Sequence, residues 1–289
     1  MKTKRYNIYT TLAFILLYAP LLVMILFSFN ATESTGVFSH FSLKWYQSLF
    51  RDEDGSIRSA LIYSLTLAIS SSLIATLIGT AAALGLSKFK RKPVKRAIMT
   101  VTNIPMVNPD IVTAVSLVLL FSAMLTIFGL RINDFTSLLI AHITFNLPYV
   151  VLSVMPKIRQ MDHSLTEAAM DLGCTPAKAF FKAELPQILP GIFSGMIMAF
   201  TMSFDDFVIS HFTSGLIETL PLKIYSMTGK GSVTPDMYAL STFMMLAILC
   251  LLILSNLIQT RDERRNARAM KALRRAQQQK STQKEALAK

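Results

Sequence analysis

Six stretches of this chain, at about 8 to 29, 60 to 86, 104 to 128, 136 to 156, 188 to 210 and 237 to 259, are long and apolar enough to cross a bilayer, which takes roughly 20 apolar residues per helical span. That pattern predicts an all-α, polytopic membrane protein. Composition agrees: 52% of residues are apolar and 16% charged, against the roughly 25% charged residues of soluble domains. The first stretch follows Lys2, Lys4 and Arg5, as a secretory signal would, but runs past 20 apolar residues without a small-residue cleavage site. It reads as a retained span.

Orientation follows from where the cations fall. Of 29 Lys and Arg, 23 lie in the N-terminus, in 88–96, in 157–186 and in the tail from Arg261, while Lys44, Arg51, Arg58, Arg131, Lys223 and Lys230 lie in the alternate loops. The excess marks the cytoplasmic side, so both termini and the 157–186 loop are expected there. Topology alone demands this asymmetry, and the net charge of +12 is no sign of nucleic-acid binding. Residues 1–260 form the expected six-span domain. The basic tail, 261–289, is expected to be a solvated helix near anionic headgroups or plain disorder.

One loop between spans is too polar to be buried and too patterned to be a simple connector. Ser164 and Glu167 stand at the spacing of a capping box, which predicts a helix starting at Leu165 and stopped by Gly173. Thr175 before Pro176 predicts an N-cap and first helical position for a second short helix. Ala168 and Ala169 leave the first helix thin enough for another protein's groove to approach. An ordinary amphipathic loop helix is the alternative. The run Glu167-Ala168-Ala169, three residues, Gly173, nine residues, Ala183 at a usually aliphatic position, one residue, Leu185-Pro186 resembles the EAA loop of ABC importer permeases. That resemblance implies a MetI-like permease fold and a coupling element, including Asp171, that docks in a cleft of the ATPase subunit.

Other chemistries find no support in the residues. Cys174 and Cys250 fall in a loop and in a span, so no disulfide is expected, and His40, His142, His163 and His211 show no metal-ligand spacing. Gly229-Lys230-Gly231-Ser232 lacks the first glycine of a phosphate loop, Ile224 standing in its place. With no nucleophile, base or metal set, the chain is read as non-catalytic, binding no cofactor, with ATP and Mg held by a separate ATPase subunit.

Charged groups inside a membrane cost roughly 2.5 to 3.5 kcal/mol on insertion scales and usually serve a pathway. Asp110 follows Asn108-Pro109, with Pro105 upstream, so the third span is expected to break there. Asp205 and Asp206 fall roughly 27 Å along the fifth span, where adjacent helical residues would point about 100° apart. With no Lys or Arg in their own spans, the three acids are expected to face a shared polar route. His142, Asn146 and Tyr149 on the fourth span, and Phe204 and Phe207 beside the acid pair, are its other candidate residues. A structural hydrogen bond to Asn103, Asn108, His142 or Asn146 is the alternative for each acid.

Acids with aromatic neighbours suit a cationic cargo carrying methylene segments, as linear polyamines do. Asn108 to Val112, Ser203 to Val208, Leu220 to Ser226 and Lys44-Trp45-Tyr46 make the chain similar, over most of its length, to the PotC class of spermidine/putrescine permeases. The resemblance implies a bacterial inner-membrane complex with a second, PotB-like permease, two ATPase subunits and an extracytoplasmic polyamine-binding protein. Trp45 and Tyr46 could equally be interfacial belt aromatics. Small residues in the second span, Ser70 to Ser72, Ala75, Gly79 and Ala81 to Ala83, suit close packing against either the partner permease or this chain's own helices. A permease for another small cation, or a secondary transporter, is the rival reading. The second has no need of the Glu-Ala-Ala loop.

Overall fold

The computed structural model describes residues 2–32, 37–51, 55–89, 91–228, 235–253 and 256–257. The tail expected at 261–289 and the Gly229 to Ser232 segment lie outside these residues. The helices are α1 (Lys2–Phe27), α2 (Lys44–Arg51), α3 (Ser56–Lys88), α4 (Lys92–Val107), α5 (Asp110–Phe128), α6 (Asp134–Gln160), α7 (His163–Asp171), α8 (Pro176–Ala179), a π-helical turn (Phe180–Glu184), α9 (Leu185–Phe204), α10 (Val208–Thr213) and α11 (Leu220–Thr228). A last helix, α12, runs Pro235–Ile253. Among the described residues the only β pairing is a single bridge between Asn30 and Phe41.

Six helical runs are long and apolar enough to span: the Ile8–Phe27 part of α1, α3, α5, α6, the continuous run Pro176–Phe204, and α12. Among the boundaries that differ from the sequence expectation, two bear on the candidate sites. The third span starts at Asp110 rather than near 104, because Pro109 sits at φ −56° and ψ 134° between α4 and α5. Proline disfavours helix in the residue before it and offers no N–H to continue one. The fifth ends at Phe204, leaving Asp205 and Asp206 in a break before α10 rather than on a helix.

The chain divides into two compact units, one of residues 1–72, 103–146 and 200–249, the other of 73–102, 147–199 and 250–289. In the first, Ala60, Ala68, Phe204, Leu220, Leu240 and Met244 form a buried cluster. The Leu220 N–H, at the start of α11, donates to the Ser64 hydroxyl at 2.7 Å within it. Trp45 is buried, and its indole N–H donates to the Asn30 carbonyl at 2.6 Å. That burial argues against the belt reading. A half-buried Tyr46 shares a 2.8 Å hydroxyl bond with Ser28.

Close helix approach organises the second unit. A Cβ on Gly79 of α3 would stand 2.7 Å from the Val150 side chain on α6, and one on Gly195 of α9 would stand 3.2 Å from the Val150 Cα. A side chain at Gly79 would force Val150 to move, and one at Gly195 would crowd the α6 backbone, so both glycines keep these helices close. Ala75 and Ala83 are fully buried. At these positions the small residues of the second span serve this chain's own packing, while Ala81 and Ala82 remain exposed.

Candidate functional site

The 157–186 loop folds as two helical arms joined at a glycine. Asp162 caps α7: its carboxylate accepts the Ser164 N–H at 3.0 Å and the Ser164 hydroxyl at 2.7 Å. The expected capping box is therefore replaced by a cap two residues earlier, and the helix starts at His163 rather than Leu165. The Ser164 hydroxyl, followed by its N–H, holds the Asp162 carboxyl below the usual carboxylate range, so the cap stays charged at neutral pH. At the other end Gly173 adopts φ +85°. Its N–H donates to Met170 O at 2.9 Å and that of Cys174 to Ala169 O at 3.0 Å, the paired bonds of a Schellman closure. Thr175 then caps α8 through the Lys178 N–H at 3.4 Å, with Pro176 at the first helical position as expected.

Past α8 the helix widens by one π turn, closed by Leu185 N–H to Phe180 O. Pro186, which follows, lacks an N–H and would crowd the carbonyl four residues back, and a widened turn relieves both. Residues Phe180–Glu184 pack against α7, so the arms form one unit. Glu167, Ala168, Asp171, Gly173 and Pro186 are exposed, and Ala169 and Leu185 are half-buried. Sequence reasoning missed the apolar rim around them, Leu165, Met170, Leu172 and Phe181, with Leu172 87% exposed. Large apolar side chains in an otherwise polar loop were the available signal.

The second candidate region lies in the first unit, at the break between α9 and α10. Asp206 is committed locally: its carboxylate accepts the Ile209 N–H at 3.3 Å and the Ser210 N–H at 2.7 Å, in the first turn of α10. Behind it runs a buried polar chain. His142 is fully buried; its Nδ1 lies 2.8 Å from the Ser203 hydroxyl and its Nε2 3.1 Å from the Ser210 hydroxyl and 3.6 Å from Asp206. Ser203 in turn accepts from the Ser71 hydroxyl at 2.9 Å. Asp205, one residue away, is exposed, and its N–H donates to Thr201 O at 3.3 Å.

The other expected residues are scattered by comparison. Asp110 is exposed at the first position of α5, where the helix dipole suits a carboxylate. Asn146 is fully buried with neither amide atom hydrogen-bonded, and Tyr149 is half-buried. Phe204 packs in the core, its ring stacked on Phe200 at 5.9 Å. Phe207 joins a ring cluster instead, 4.7 Å from Tyr225 and 5.4 Å from His211. His211 and Tyr225 are the aromatic partners that the linear sequence did not assign, since α10 and α11 had to be placed first.

Among the described residues no group of three His, Cys, Asp or Glu is positioned to hold a metal ion.

Comparison with known proteins places both regions in context. Residues 75–268 match the model of a family described as "Binding-protein-dependent transport system inner membrane component". The chain is 37% identical over 266 residues to the "Putrescine transport system permease protein PotI" of Escherichia coli (strain K12), covering 91% of this chain and 94% of that one. It is 39% identical over 253 residues to the "Spermidine/putrescine transport system permease protein PotC" of the same organism, covering 86% and 92%. In fold it is similar to a chain of a bacterial ABC transporter involved in import of the acidic polysaccharide alginate, with TM-score 0.67, 16% identity and coverage of 90% and 96%. The MetNI methionine ABC transporter gives TM-score 0.58 at 16% identity, covering 73% and 97%.

Proposed function

We propose that this chain, which belongs to the family of binding-protein-dependent transport system inner membrane components, forms half of the translocation pathway of an ATP-driven importer whose cargo is a linear polyamine. Members of this family are membrane subunits without catalysis of their own, ATP being hydrolysed by a separate subunit. The likeness to PotI and PotC supports the cargo. Fold alone does not, since an alginate importer has the same architecture.

Asp205 is the observation on which the cargo reading rests. Its neighbour Asp206 is occupied in holding α10, whereas Asp205 is exposed at a helix break, where a carboxylate can meet an ammonium group. Phe207 and Tyr225 offer ring faces two positions along and on α11, and a cation above such a face gains about 0.5 to 2 kcal/mol. Asp110 is the second exposed acid. Phe204, being core, falls out of the pathway in this reading.

The docking function is assigned to α7 and its apolar rim. Glu167, Ala168, Ala169 and Gly173 would sit in an ATPase cleft, with Leu165, Met170 and Leu172 supplying buried contact. The implied assembly is this chain, a PotB-like second permease, two ATPase subunits holding ATP and Mg, and an extracytoplasmic polyamine-binding protein, in the bacterial cytoplasmic membrane with both termini inside. The test is uptake of labelled spermidine in cells expressing the whole system, with spermidine, putrescine, an amino acid and an unrelated cation as competitors. Competition by polyamines alone is the expected result. Competition by the amino acid instead would discard the cargo.

A further inference from the structure

We propose that a pocket at the docking-loop end of α3, α4 and α6 binds the headgroup of an anionic phospholipid, independently of what the importer carries. The pocket has a volume of about 370 Å³ and lies wholly within the second unit. Lys88, the last residue of α3, Lys95 in the first turn of α4 and Arg159 in the last turn of α6 line it, with Glu184 as its carboxylate. Three basic side chains thus line the pocket with one carboxylate. Among the described residues none of these four groups forms an ion pair.

Topology accounts for cations on this side of the membrane, but not for their convergence. Lys95 is held in place: its ammonium donates to the Ser87 carbonyl at 3.3 Å, at the C-terminal end of α3 where a helix favours positive charge. The floor beneath is apolar, formed by Leu84, Met155, Ile158 and Met161, the last three buried. Of these, Leu84 is half-buried and keeps apolar surface open to a ligand. A phospholipid can use both parts of the site, its phosphate reaching the cations while its first acyl carbons lie along Leu84, where a free anion uses only the cations. Lys88 and Arg159 also stand at the ends of two helices long and apolar enough to span, α3 and α6. Met161 and His163 flank the Asp162 cap of α7 and line the same pocket, so a bound headgroup would touch the base of the docking helix.

The test is native mass spectrometry of the whole importer complex, purified in detergent with its ATPase subunits and given equal amounts of phosphatidylglycerol and phosphatidylcholine. Wild type should retain phosphatidylglycerol preferentially. Lys95→Gln and Arg159→Gln should each reduce that preference roughly fivefold, the ratio expected for one cation near a headgroup. Glu184→Gln should raise it, which separates charge from damage to the fold. Equal retention of both lipids by wild type would overturn the proposal, as would a preference that none of the variants moves. Displacement of the lipid by millimolar inorganic phosphate would make this a free-anion site. If the Lys and Arg variants instead lose the ATPase subunit with lipid preference intact, the cations serve a protein partner and the proposal fails.

Discussion

The side-chain carbonyl of Gln187, on the first turn of α9, accepts the backbone N–H of Asp162 at 3.0 Å, while its amide donates to the Ala183 carbonyl at 2.8 Å. One side chain therefore ties the start of α7 to α9, the spanning helix that leads to Phe204. Asp162 is also the cap of α7, so the tie fixes where that helix begins. In the proposed assembly, a push on α7 by the ATPase would have a direct route into α9.

Gln187→Leu should keep the packing volume and remove both bonds. A net loss of about 0.5 to 1.5 kcal/mol per bond is expected, too little to unfold the chain but enough to loosen α7. The amides of 163 to 171 should exchange faster, and transport per ATP hydrolysed should fall. Unchanged exchange together with normal coupling would show that the tie is incidental.

Gly173 reaches φ +85° with open space where a Cβ would go. The obstacle to replacement is backbone conformation, not crowding. Gly173→Val should therefore cost more than Gly173→Asn, since a side chain in the left-handed region loses roughly 1 to 2 kcal/mol and asparagine tolerates it best. ATPase co-purification should fall in the order glycine, asparagine, valine. Equal recovery of ATPase by all three would remove the Schellman turn from the docking account.

How much of this was legible in the sequence depends on the range of the interaction. Gly173, Thr175 and Pro176 act through neighbours within a few residues, and their placement follows from local rules. Asp162 was passed over because a Ser and a Glu at the right spacing offered a competing cap; which one wins depends on where Gln187 holds the Asp162 N–H. Trp45 was misjudged for a similar reason, its partner Asn30 being brought near only by the 30 to 41 bridge. The acid pair looked like successive residues of a long helix. Its apolar flanks hid the break, because Ser203 and Ser210 are satisfied by His142, 61 and 68 residues away.

Orientation is open to a direct measurement. Single cysteines placed near Asp134 and Glu218, in a background without Cys174 and Cys250, should react with an impermeant maleimide added to spheroplasts. Sites near Lys92 and Met170 should react only after the membrane is opened. Labelling of the Met170 site in sealed spheroplasts would reverse the assignment and place the docking loop outside.

The two adjacent aspartates should separate by what their replacement damages. Asp206→Asn removes the charge from bonds to the Ile209 and Ser210 N–H groups, and hydrogen bonds to a charged group are worth about 1.5 to 3 kcal/mol. It should lower the thermal stability of the purified subunit and reduce uptake as a consequence. Asp205→Asn leaves the bonds to the Ile209 and Ser210 N–H groups intact, so stability should hold. Its uptake should nonetheless drop, because the amide keeps shape and hydrogen bonding while losing the charge that compensates a desolvated ammonium. Uptake of labelled spermidine at matched membrane levels, set beside melting curves, reads both effects at once. Wild-type uptake by Asp205→Asn would remove Asp205 from the pathway and leave the cargo supported by likeness alone.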